Sequence, residues 1–511
     1  MIASGVSTRG LAAVLLLTLV VAFGESATVP KEWIDEAAGW MIDSIRTDSR
    51  SIPTPGTEWT YVGYLKKILD RENITNTVIT LNVKSPADGS NIPMPLLFGK
   101  IEGSAPLEGV LMLSSHSDTV GTGKMAEEDV LSGRITDDGM IVGRGTADDK
   151  QKVVLDLAAI VWTKRLGKVP TRGLLFAVFP GEELGMVGAT AAFTSLEALS
   201  WMFGVRLAID EGNGATVRVL DTTLMPISIG EKGACWLDLR TSGSDAHASG
   251  YYTKDRMPIV RVADAISAIF ADHEVFPRID STVVDLMLDE LHAAVPLRYK
   301  SLVDDLKCPY TYQDAAKRLA EDDVFGARFL IPQLQNTYNA VRVMGDGAPT
   351  NVPGVANATI VAMVMPGIPE ITCAVAISDV YSRIGGLSSG LQVVQVVPDG
   401  MPILAAGLIS GGTHVDPNSD SVSQMFNAIV KAAAVYMPDV VPVHSILPAI
   451  TDCLIFRQLY GIPCMGFSPT RVPADMFYLD APHSDFERLP MEGFRQGLPL
   501  YFDAVSRFLN P

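Results

Sequence analysis

The stretch Val110-Leu-Met-Leu-Ser-Ser115 is followed directly by His116-Ser-Asp118, so an apolar, strand-like run ends on a histidine and an aspartate. Two further runs end in the same way on adjacent carboxylates: Leu174–Phe179 before Glu182-Glu183, and Val205–Ile209 before Asp210-Glu211. Short apolar runs between helical stretches are typical of buried strands in a parallel sheet. Because ligands of open α/β sheets bind beyond the carboxyl ends of the strands, we expect the three clusters to converge at one sheet edge.

This convergence would bring a histidine and several carboxylates together. Negative charges crowded in this way repel each other unless a positive charge lies between them. The pattern therefore predicts a divalent metal centre at the sheet edge.

The size and composition are those of a globular protein with more than one domain. The chain has 511 residues, of which 48% are hydrophobic and 19% charged, which is enough for two full cores. Its formal net charge of −18 argues against a nucleic-acid partner.

The N-terminus has the pattern of a secretory signal peptide. Arg9 precedes an apolar run, Leu11–Phe23, and small and polar residues follow at 24–27. The run is too short for a comfortable membrane span, so we expect residues 1–26 to be a signal that is removed, with an uncleaved anchor as the alternative. No later stretch is long and apolar enough to cross a bilayer. The sequence thus predicts a protein that is secreted or resides in the secretory lumen.

Two kinds of modification are consistent with that compartment. Asn73-Ile-Thr75 and Asn357-Ala-Thr359 fit the glycosylation acceptor pattern, which predicts a glycoprotein. The five cysteines have no paired C-x-x-C spacing, so one or two disulfides are compatible with the sequence, but their pairing is left open.

The texture of the chain predicts a catalytic domain in two parts, residues 30–221 and 409–511, with an insert at 222–408. The first part alternates strands with helical stretches such as Lys150–Leu166, whose apolar spacing suits a crossover helix. The insert has strand-like runs around a helical stretch, which indicates a small α+β unit with its own sheet. A C-terminal helix, Met491–Leu509, closes the second part. The fold class is therefore α/β with an α+β insert.

Two acidic pairs in this framework have competing interpretations. Asp148-Asp149 ends the Gly-rich segment that begins at Gly143 and comes just before a helix, so one aspartate could cap the helix while the other binds metal. Glu182-Glu183 could be a solvated acidic turn. Alternatively, one glutamate could bind a metal while its neighbour stays free as a general base.

Taken in order, these motifs resemble the dinuclear zinc metallopeptidase and amidohydrolase family of aminoacylase, carboxypeptidase S and acetylornithine deacetylase, and the aminoacylase branch in particular. The family pattern runs His-x-Asp, Gly-Arg-Gly-x-x-Asp-x-Lys, Glu-Glu, Asp/Glu and a late His, here His483 within Pro482–Arg488. The resemblance covers essentially the whole mature chain. It implies a zinc-peptidase-like domain with a largely parallel central sheet and an inserted ferredoxin-like lid and dimerisation domain.

The resemblance also implies two zinc ions, with cobalt or manganese as alternatives. Their ligands would be His116, Asp148 and Glu211 for one ion, and Asp148, Glu183 and His483 for the other. Asp148 is preferred to Asp149 because the family spacing is Asp-x-Lys. Asp210 stays open as an alternative to Glu211.

The remaining roles follow from the same resemblance. Asp118 would orient His116, and Glu182 would be the general base that takes a proton from a metal-activated water and passes it to the leaving amine. In the insert, His247 within Gly243–Ser249 would stabilise the oxyanion, commonly in the active site of a partner subunit, and Asn351 would contact substrate. A homodimer formed through the insert is therefore expected.

The chain departs from the family at two arginines that hold a substrate carboxylate. Met363 and Leu454 occupy those positions, and neither can replace the planar fork of arginine. Arg457, three residues further on, could compensate by a shifted geometry. Otherwise the substrate lacks the usual carboxylate, or other residues bind it.

The resulting prediction is a secreted dinuclear zinc hydrolase that cleaves an amide bond of N-acyl amino acids or short peptides. A carboxypeptidase or dipeptidase of the same family, or an amidase for neutral amides, is the alternative among enzymes. A metal-binding protein without activity is the alternative of another class. The retained Glu182 argues against it, because such a protein gains nothing from an unligated carboxylate beside a metal.

Overall fold

The computed structural model describes residues 29–51, 57–84, 90–271, 276, 278–279, 281–367, 372–385, 390–397 and 410–511. The predicted signal segment, residues 1–26, and the predicted end of the insert at residue 408 lie outside these ranges. Among the described helices, none is long and apolar enough to cross a membrane.

Strands of the described residues are numbered in chain order: β1 (Thr75–Lys84), β2 (Asn91–Ile101), β3 (Val110–His116), β4 (Arg134–Ile135), β5 (Met140–Val142), β6 (Gly173–Phe179), β7 (Val205–Asp210), β8 (Val217–Val219), β9 (Thr222–Glu231), β10 (Gly233–Ser242), β11 (Ala246–His247), β12 (Thr337–Asp346), β13 (Asn351–Val352), β14 (Val355–Val364), β15 (Leu391–Val396), β16 (Thr413–His414), β17 (Val441–Leu447), β18 (Cys464–Gly466) and β19 (Arg488–Pro490).

The α-helices of the same residues are α1 (Lys31–Arg46), α2 (Glu58–Arg71), α3 (Glu127–Val130), α4 (Lys150–Arg165), α5 (Val187–Ala192), α6 (Leu196–Trp201), α7 (Pro258–Ile269), α8 (Thr282–Ala294), α9 (Leu297–Lys307), α10 (Tyr312–Asp322), α11 (Val324–Leu334), α12 (Thr372–Ile384), α13 (Asp420–Tyr436), α14 (Asp452–Ile455) and α15 (Met491–Leu509). Short 3-10 helices cover Pro106–Glu108, Lys254–Arg256 and Tyr478–Asp480, and a π-helix covers Phe456–Tyr460.

A large mixed sheet has its parallel strands at the centre. Its main path runs β1-β2-β6-β3-β7-β18-β9-β16, and β8 and β17 also pair with β9. The pairs β6–β3, β3–β7 and β7–β18 are parallel, whereas β1–β2, β2–β6 and β9–β16 are antiparallel. The predicted α/β class with a largely parallel central sheet is thus confirmed.

Burial on both faces explains the apolar runs that mark the central strands. All residues of β3 and of β6 are buried. Leu111 and Leu113 belong to the core cluster that contains helix α4, while Met112 belongs to the cluster on the opposite face. Since each face of these strands is covered, the sequence reads as a continuous apolar run rather than an alternation.

A smaller antiparallel sheet has the order β12-β14-β10-β15, and helices α7 and α12 pack against it. This strand order, with one helix after β10 and one after β14, is that of the ferredoxin-like fold expected for the insert. Residues 222–408 do not all belong to this small unit, however. Strand β9 is part of the large sheet, and helices α8 to α11 pack in the core of that sheet. The domain boundaries themselves stay a prediction.

Two disulfides settle the cysteine pairing that the sequence left open. Cys235 of β10 is bonded to Cys373 of α12, and Cys453 of α14 is bonded to Cys464 of β18. Cys308 is a free thiol. One bond therefore fastens a helix to the small sheet, and the other fastens α14 to the large sheet beside β7.

Candidate metal centre and active site

The three clusters that follow the central strands lie next to each other because their strands are neighbours. Strand β3 lies between β6 and β7 and is parallel to both. His116 at the end of β3 is therefore level with Phe179 at the end of β6, and the Glu182–Glu183 loop and Glu211 follow the flanking strands directly. This is the convergence that the sequence predicts.

His116 is buried at the centre of the cluster, with 1% of its surface exposed. Its Nε2 atom lies 2.9 Å from Oδ1 of Asp148 and 3.5 Å from a carboxylate oxygen of Glu211. Its Nδ1 atom lies 2.9 Å from the backbone oxygen of Asp118. The imidazole is thus fixed on one side by the backbone and directs its other nitrogen to the carboxylates.

Asp148 lies between two histidines that are far apart in sequence. Its Oδ1 contacts Nε2 of His116 at 2.9 Å, and its Oδ2 lies 3.1 Å from Nε2 of His483. The same nitrogen of His483 lies 3.0 Å from a carboxylate oxygen of Glu183. One carboxylate therefore offers one oxygen to each of two donor groups, which is the arrangement of a bridging ligand.

The neighbouring acidic residues are placed differently. Asp149 occupies the N-cap position of α4 but makes no side-chain cap hydrogen bond, and its carboxylate instead accepts the backbone N–H of His116 at 3.2 Å. The interpretation of this aspartate as a helix cap is therefore wrong. Asp210 is buried close to Lys152 and Ser114, whereas Glu211 is the residue that approaches His116.

The segment 143–149 is held by a glutamate whose role was missed from the sequence. Glu487 is fully buried and accepts backbone N–H groups of Gly145, Ala147 and Asp148 at 3.1, 2.9 and 3.2 Å. It also pairs with Arg144 at 2.7 Å. The only sequence signal for this role was the position of Glu487 four residues after His483. Sequence spacing does not reveal that its partners lie some 340 residues away.

Glu182 lies beside the predicted ligands without bonding to them. Its backbone N–H donates to Oδ1 of Asp118 at 3.0 Å, while within the described chain its carboxylate has no protein hydrogen-bond partner. Burial raises the pKa of this carboxyl well above its usual value, and nearby Glu183 and Asp452 oppose its ionisation further. The unbonded carboxylate beside the cluster has the placement of a general base.

His247 and Asn351 are brought together in the insert. They face each other in the short ladder between β11 and β13, and both are exposed. Nδ1 of His247 lies 2.7 Å from the hydroxyl of Ser249. Within the described part of this single chain, no hydrogen bond or ion pair connects either residue to the metal-binding candidates.

Arg457 does not replace the two family arginines. Its Nε and Nη2 atoms donate to the carbonyl of Cys464, and its Nη1 atom donates to Glu231 at 2.9 Å in a buried ion pair. Leu454 is fully buried in an apolar cluster, and Met363 packs half-buried against the same cluster. The compensation considered for Arg457 is thus wrong, because its guanidinium is already used.

The donor set fits a pair of divalent cations. Histidine nitrogens and carboxylate oxygens are the usual ligands of zinc, and ligand atoms around one tetrahedral zinc lie about 3.3 Å apart. The separations of 2.9 to 3.5 Å around His116 and His483 are close to this value. Two groups of three ligand atoms, each within 4.8 Å of one another, occur here: His116, Asp148 and Glu183, and His116, Asp149 and Glu211.

The electrostatics of the cluster call for positive charge. Burial and, after it, repulsion from the nearby Asp148 carboxylate raise the pKa of Glu183 to about 7. Burial also raises the pKa of Glu211, followed by repulsion from Asp149 and Asp148. Hydrogen bonds to Asp148 and Glu183 raise the pKa of His483 to about 11. A cation between these groups would stabilise the charged carboxylates that protons otherwise neutralise.

Comparison with known proteins gives the family. Residues 112–507 match the model of peptidase family M20/M25/M40. This chain belongs to that family. The family is metal-dependent and acts on peptide or amide bonds, so the chain is a hydrolase of this type, and the resemblance expected from the sequence is confirmed.

Two curated relatives have different names. A Dictyostelium discoideum protein named "Probable carboxypeptidase S-like 2" is 24% identical over 403 residues, which cover 78% of this chain and 71% of that protein. The Homo sapiens N-fatty-acyl-amino acid synthase/hydrolase PM20D1 is 27% identical over 274 residues. That second match covers 52% of this chain and about half, 51%, of the relative.

Solved structures show the same fold at low sequence identity. The di-peptidase Dug1p from Saccharomyces cerevisiae has a TM-score of 0.63 at 15% identity, covering 94% of this chain and 97% of its own. Human carnosine dipeptidase 1 has a TM-score of 0.58 at 16% identity, covering 94% and 97%. The Bacillus subtilis YXEP protein, described as a dinuclear metal binding peptidase, has a TM-score of 0.53 at 13% identity, covering 94% and 98%.

Proposed function

We propose that this protein is a dinuclear zinc hydrolase that cleaves the amide bond of N-acyl amino acids or short peptides. The observation that carries the proposal is the placement of the Asp148 carboxylate between His116 and His483, one oxygen to each. Glu211 and Glu183 complete the two ends of this arrangement. His116, Asp148 and Glu211 would bind one ion, and Asp148, Glu183 and His483 the other.

Zinc is the proposed metal, and cobalt or manganese would be accepted by the same nitrogen and oxygen donors. When bound, the ions supply an acidified water and polarise the substrate carbonyl. The orientation of the ligands comes from the chain itself, because the Asp118 carbonyl fixes the ring of His116 and Glu487 fixes the backbone of Asp148.

The proton transfer is assigned to Glu182. Its carboxylate is buried next to the ligands and has no protein hydrogen bond in the described residues, so it is available to the attacking water. It would take the proton of that water and return it to the leaving amine as the amide bond breaks. An amine leaving without that proton would be a very poor leaving group, so both transfers are needed.

We also propose that a partner copy completes the site. The edge strand β12 exposes Val341 (58%) and Val343 (51%), and an exposed apolar edge strand is a ready template for pairing with another chain. A homodimer formed there would place the exposed His247 and Asn351 of one insert at the other subunit's site. His247 would donate an N–H to the oxyanion that develops on the substrate carbonyl, and Asn351 would contact the substrate.

Secretion is proposed from two independent features. The predicted signal at residues 1–26 directs the chain into the secretory pathway, and the two disulfides are typical of the oxidising compartments reached by that route. Asn73 is exposed and suits glycosylation, whereas Asn357 lies half-buried within β14, near the start of the strand.

A neutral-amide amidase is the second candidate, and a specific observation favours it. Leu454 is buried in the core and Arg457 is held by Glu231, so the positions at which relatives bind a substrate carboxylate offer no charge here. The names of the relatives point instead to substrates with a carboxylate, a carboxypeptidase S-like protein and a hydrolase of N-fatty-acyl amino acids. Rates on N-acyl amino acids, dipeptides and their neutral amide counterparts decide between the two.

The test of the mechanism uses two adjacent residues with different proposed roles. Glu182→Gln should abolish hydrolysis while the purified protein keeps close to two metal ions per chain. Glu183→Gln is the matched control, because it should lower the metal content to about one ion per chain. Wild type that holds two metals and hydrolyses none of a broad amide panel would overturn the proposal.

A further inference from the structure

The carboxylate of Asp118 makes its shortest contacts with donors other than His116. Its Oδ1 accepts the backbone N–H of Glu182 at 3.0 Å, and its Oδ2 accepts the backbone N–H of Glu183 at 3.2 Å. The distance from Oδ1 to Nδ1 of His116 is 3.5 Å, longer than the 2.9 Å from that nitrogen to the Asp118 carbonyl. The side chain therefore holds the glutamate loop, while the backbone orients the histidine.

This contact matters because little else fixes the end of the Glu182 side chain. Its carboxylate has no protein hydrogen bond within the described residues, so its position follows from that of its backbone. Because the N–H groups of two consecutive residues donate to one buried carboxylate, they fix both the position and the orientation of the loop. A displacement of about 1 Å of a reacting group can cost roughly 100-fold in rate.

A third donor holds the Asp118 carboxylate itself. The hydroxyl of Ser51 donates to Oδ2 at 2.9 Å, and Ser51 is fully buried. The backbone of this segment is fastened to the loop after β3, since Ser51 N–H donates to the carbonyl of Thr119 at 2.9 Å and Thr119 N–H donates to the carbonyl of Ser49 at 3.1 Å. The hydroxyl is thus delivered to Asp118 from a fixed backbone.

We propose that Ser51 is a positioning residue for the Glu182–Glu183 loop, acting through the carboxylate of Asp118. Its hydroxyl limits the rotation of that carboxylate, which otherwise has, among the described residues, only the two N–H groups that it has to position and the longer 3.5 Å contact with His116. As far as catalysis is concerned, this inference rests on the proposed amide hydrolysis. Its structural part, the ordering of the loop, does not depend on any activity.

Ser51→Ala tests the proposal, and Ser49→Ala is its control. Ser49 is equally buried and only two residues away, but its hydroxyl has no hydrogen-bond partner among the residues that the structure describes. The first measurement is amide hydrogen exchange of a peptide covering residues 180–187 in the metal-free protein. We expect this peptide to exchange at least about fivefold faster in Ser51→Ala and at the wild-type rate in Ser49→Ala. Asp118→Asn should give a larger increase, because its amide NH2 cannot accept from both backbone donors.

The second measurement is steady-state kinetics of the zinc-loaded full chain. Ser51→Ala should lower kcat roughly 10-fold with KM changed by less than about twofold, because the base is displaced while the substrate surface is kept. Wild-type exchange of the 180–187 peptide in Ser51→Ala, or equal effects of Ser51→Ala and Ser49→Ala, would overturn the inference. An inactive wild type would overturn the proposed function instead, and the exchange measurement would still decide the role of Ser51.

Discussion

The buried carboxylate of Glu487 accepts the backbone N–H of Asp148 at 3.2 Å, and so joins the residue that lies between the two histidines to the C-terminal segment that carries His483. The two halves of the cluster are therefore connected through the protein as well as through any bound metal. Replacing a residue that holds a metal ligand by a hydrogen bond commonly lowers the metal affinity by about 10-fold to 100-fold.

Glu487→Gln should weaken metal binding and destabilise the fold together. It leaves the buried guanidinium of Arg144 without its ion-pair partner, a change that costs on the order of 3 kcal/mol in comparable buried pairs. Metal content after dialysis and urea unfolding are the measurements. Glu492→Gln, at an exposed glutamate nearby, should change neither, and a Glu487→Gln protein as stable as wild type would contradict this role.

Removal of the metal should lower the unfolding temperature of wild type, because an ion that binds only the folded state stabilises it by mass action. Asp148→Asn should retain almost no metal, since it removes the carboxylate shared by both ions. A chelator should accordingly lower Tm in wild type but leave Tm of Asp148→Asn unchanged. An equal drop in both proteins would show that the stabilising metal is bound elsewhere.

Arginine substitutions at Met363 and Leu454, where the chain departs from the family, should have unequal effects on stability. Leu454→Arg places an unpaired charge in a fully buried apolar cluster and should cost several kcal/mol, giving little folded protein. Met363→Arg should fold, because that side chain is half-buried and can extend to solvent. Thermal unfolding compares them directly. A stable Leu454→Arg protein would mean that the side chain at this position reaches solvent.

The two disulfides should contribute unequally to stability. Cys235–Cys373 links positions 138 apart in the sequence and Cys453–Cys464 positions 11 apart, so chain-entropy arguments give about 5 and about 3 kcal/mol. Replacing each pair by alanines and measuring urea unfolding tests the order. The reverse order would show that the constraint on the unfolded chain is not the dominant effect.

Stability should rise with pH above neutrality through Lys232. Burial lowers the pKa of this lysine to about 7, and among the described residues its ammonium donates to the carbonyl of Gln335 and the hydroxyl of Thr337. Because the folded-state pKa is below the unfolded value of about 10.4, the unfolded chain binds more protons between these values, and stability increases with pH across that window.

Lys232→Met should remove a large part of this increase, on the order of 2 kcal/mol between pH 7 and pH 9. Urea unfolding at the two pH values measures it. Burial also lowers the pKa of Lys150 to about 7, so some dependence should persist in the variant. Lys431→Met, at an exposed position, should keep the full wild-type dependence, and an unchanged slope in Lys232→Met would refute the assignment.

The strand ends were predictable from sequence because the signal is local. The run that ends at His116 and the one that ends at Phe179 needed only apolar composition and flanking carboxylates, and both strands match within one residue at each end. The partner of Glu487 and the donors to Asp118 could not be predicted, since each contact joins segments that no periodicity relates. The same holds for helices α8 to α11, whose apolar faces do not tell which of two sheets will cover them.

The order of the ligands along the chain has a consequence for biosynthesis. His116 and Asp148 are made well before His483 and Glu487, since Glu487 follows Asp148 by 339 residues. A nascent chain that stops short of them could form the sheet and still fail to bind the two proposed metal ions. Under the proposed ligand assignment, loading of both ions would follow the synthesis of His483, and a chain that stops before this residue should be inert.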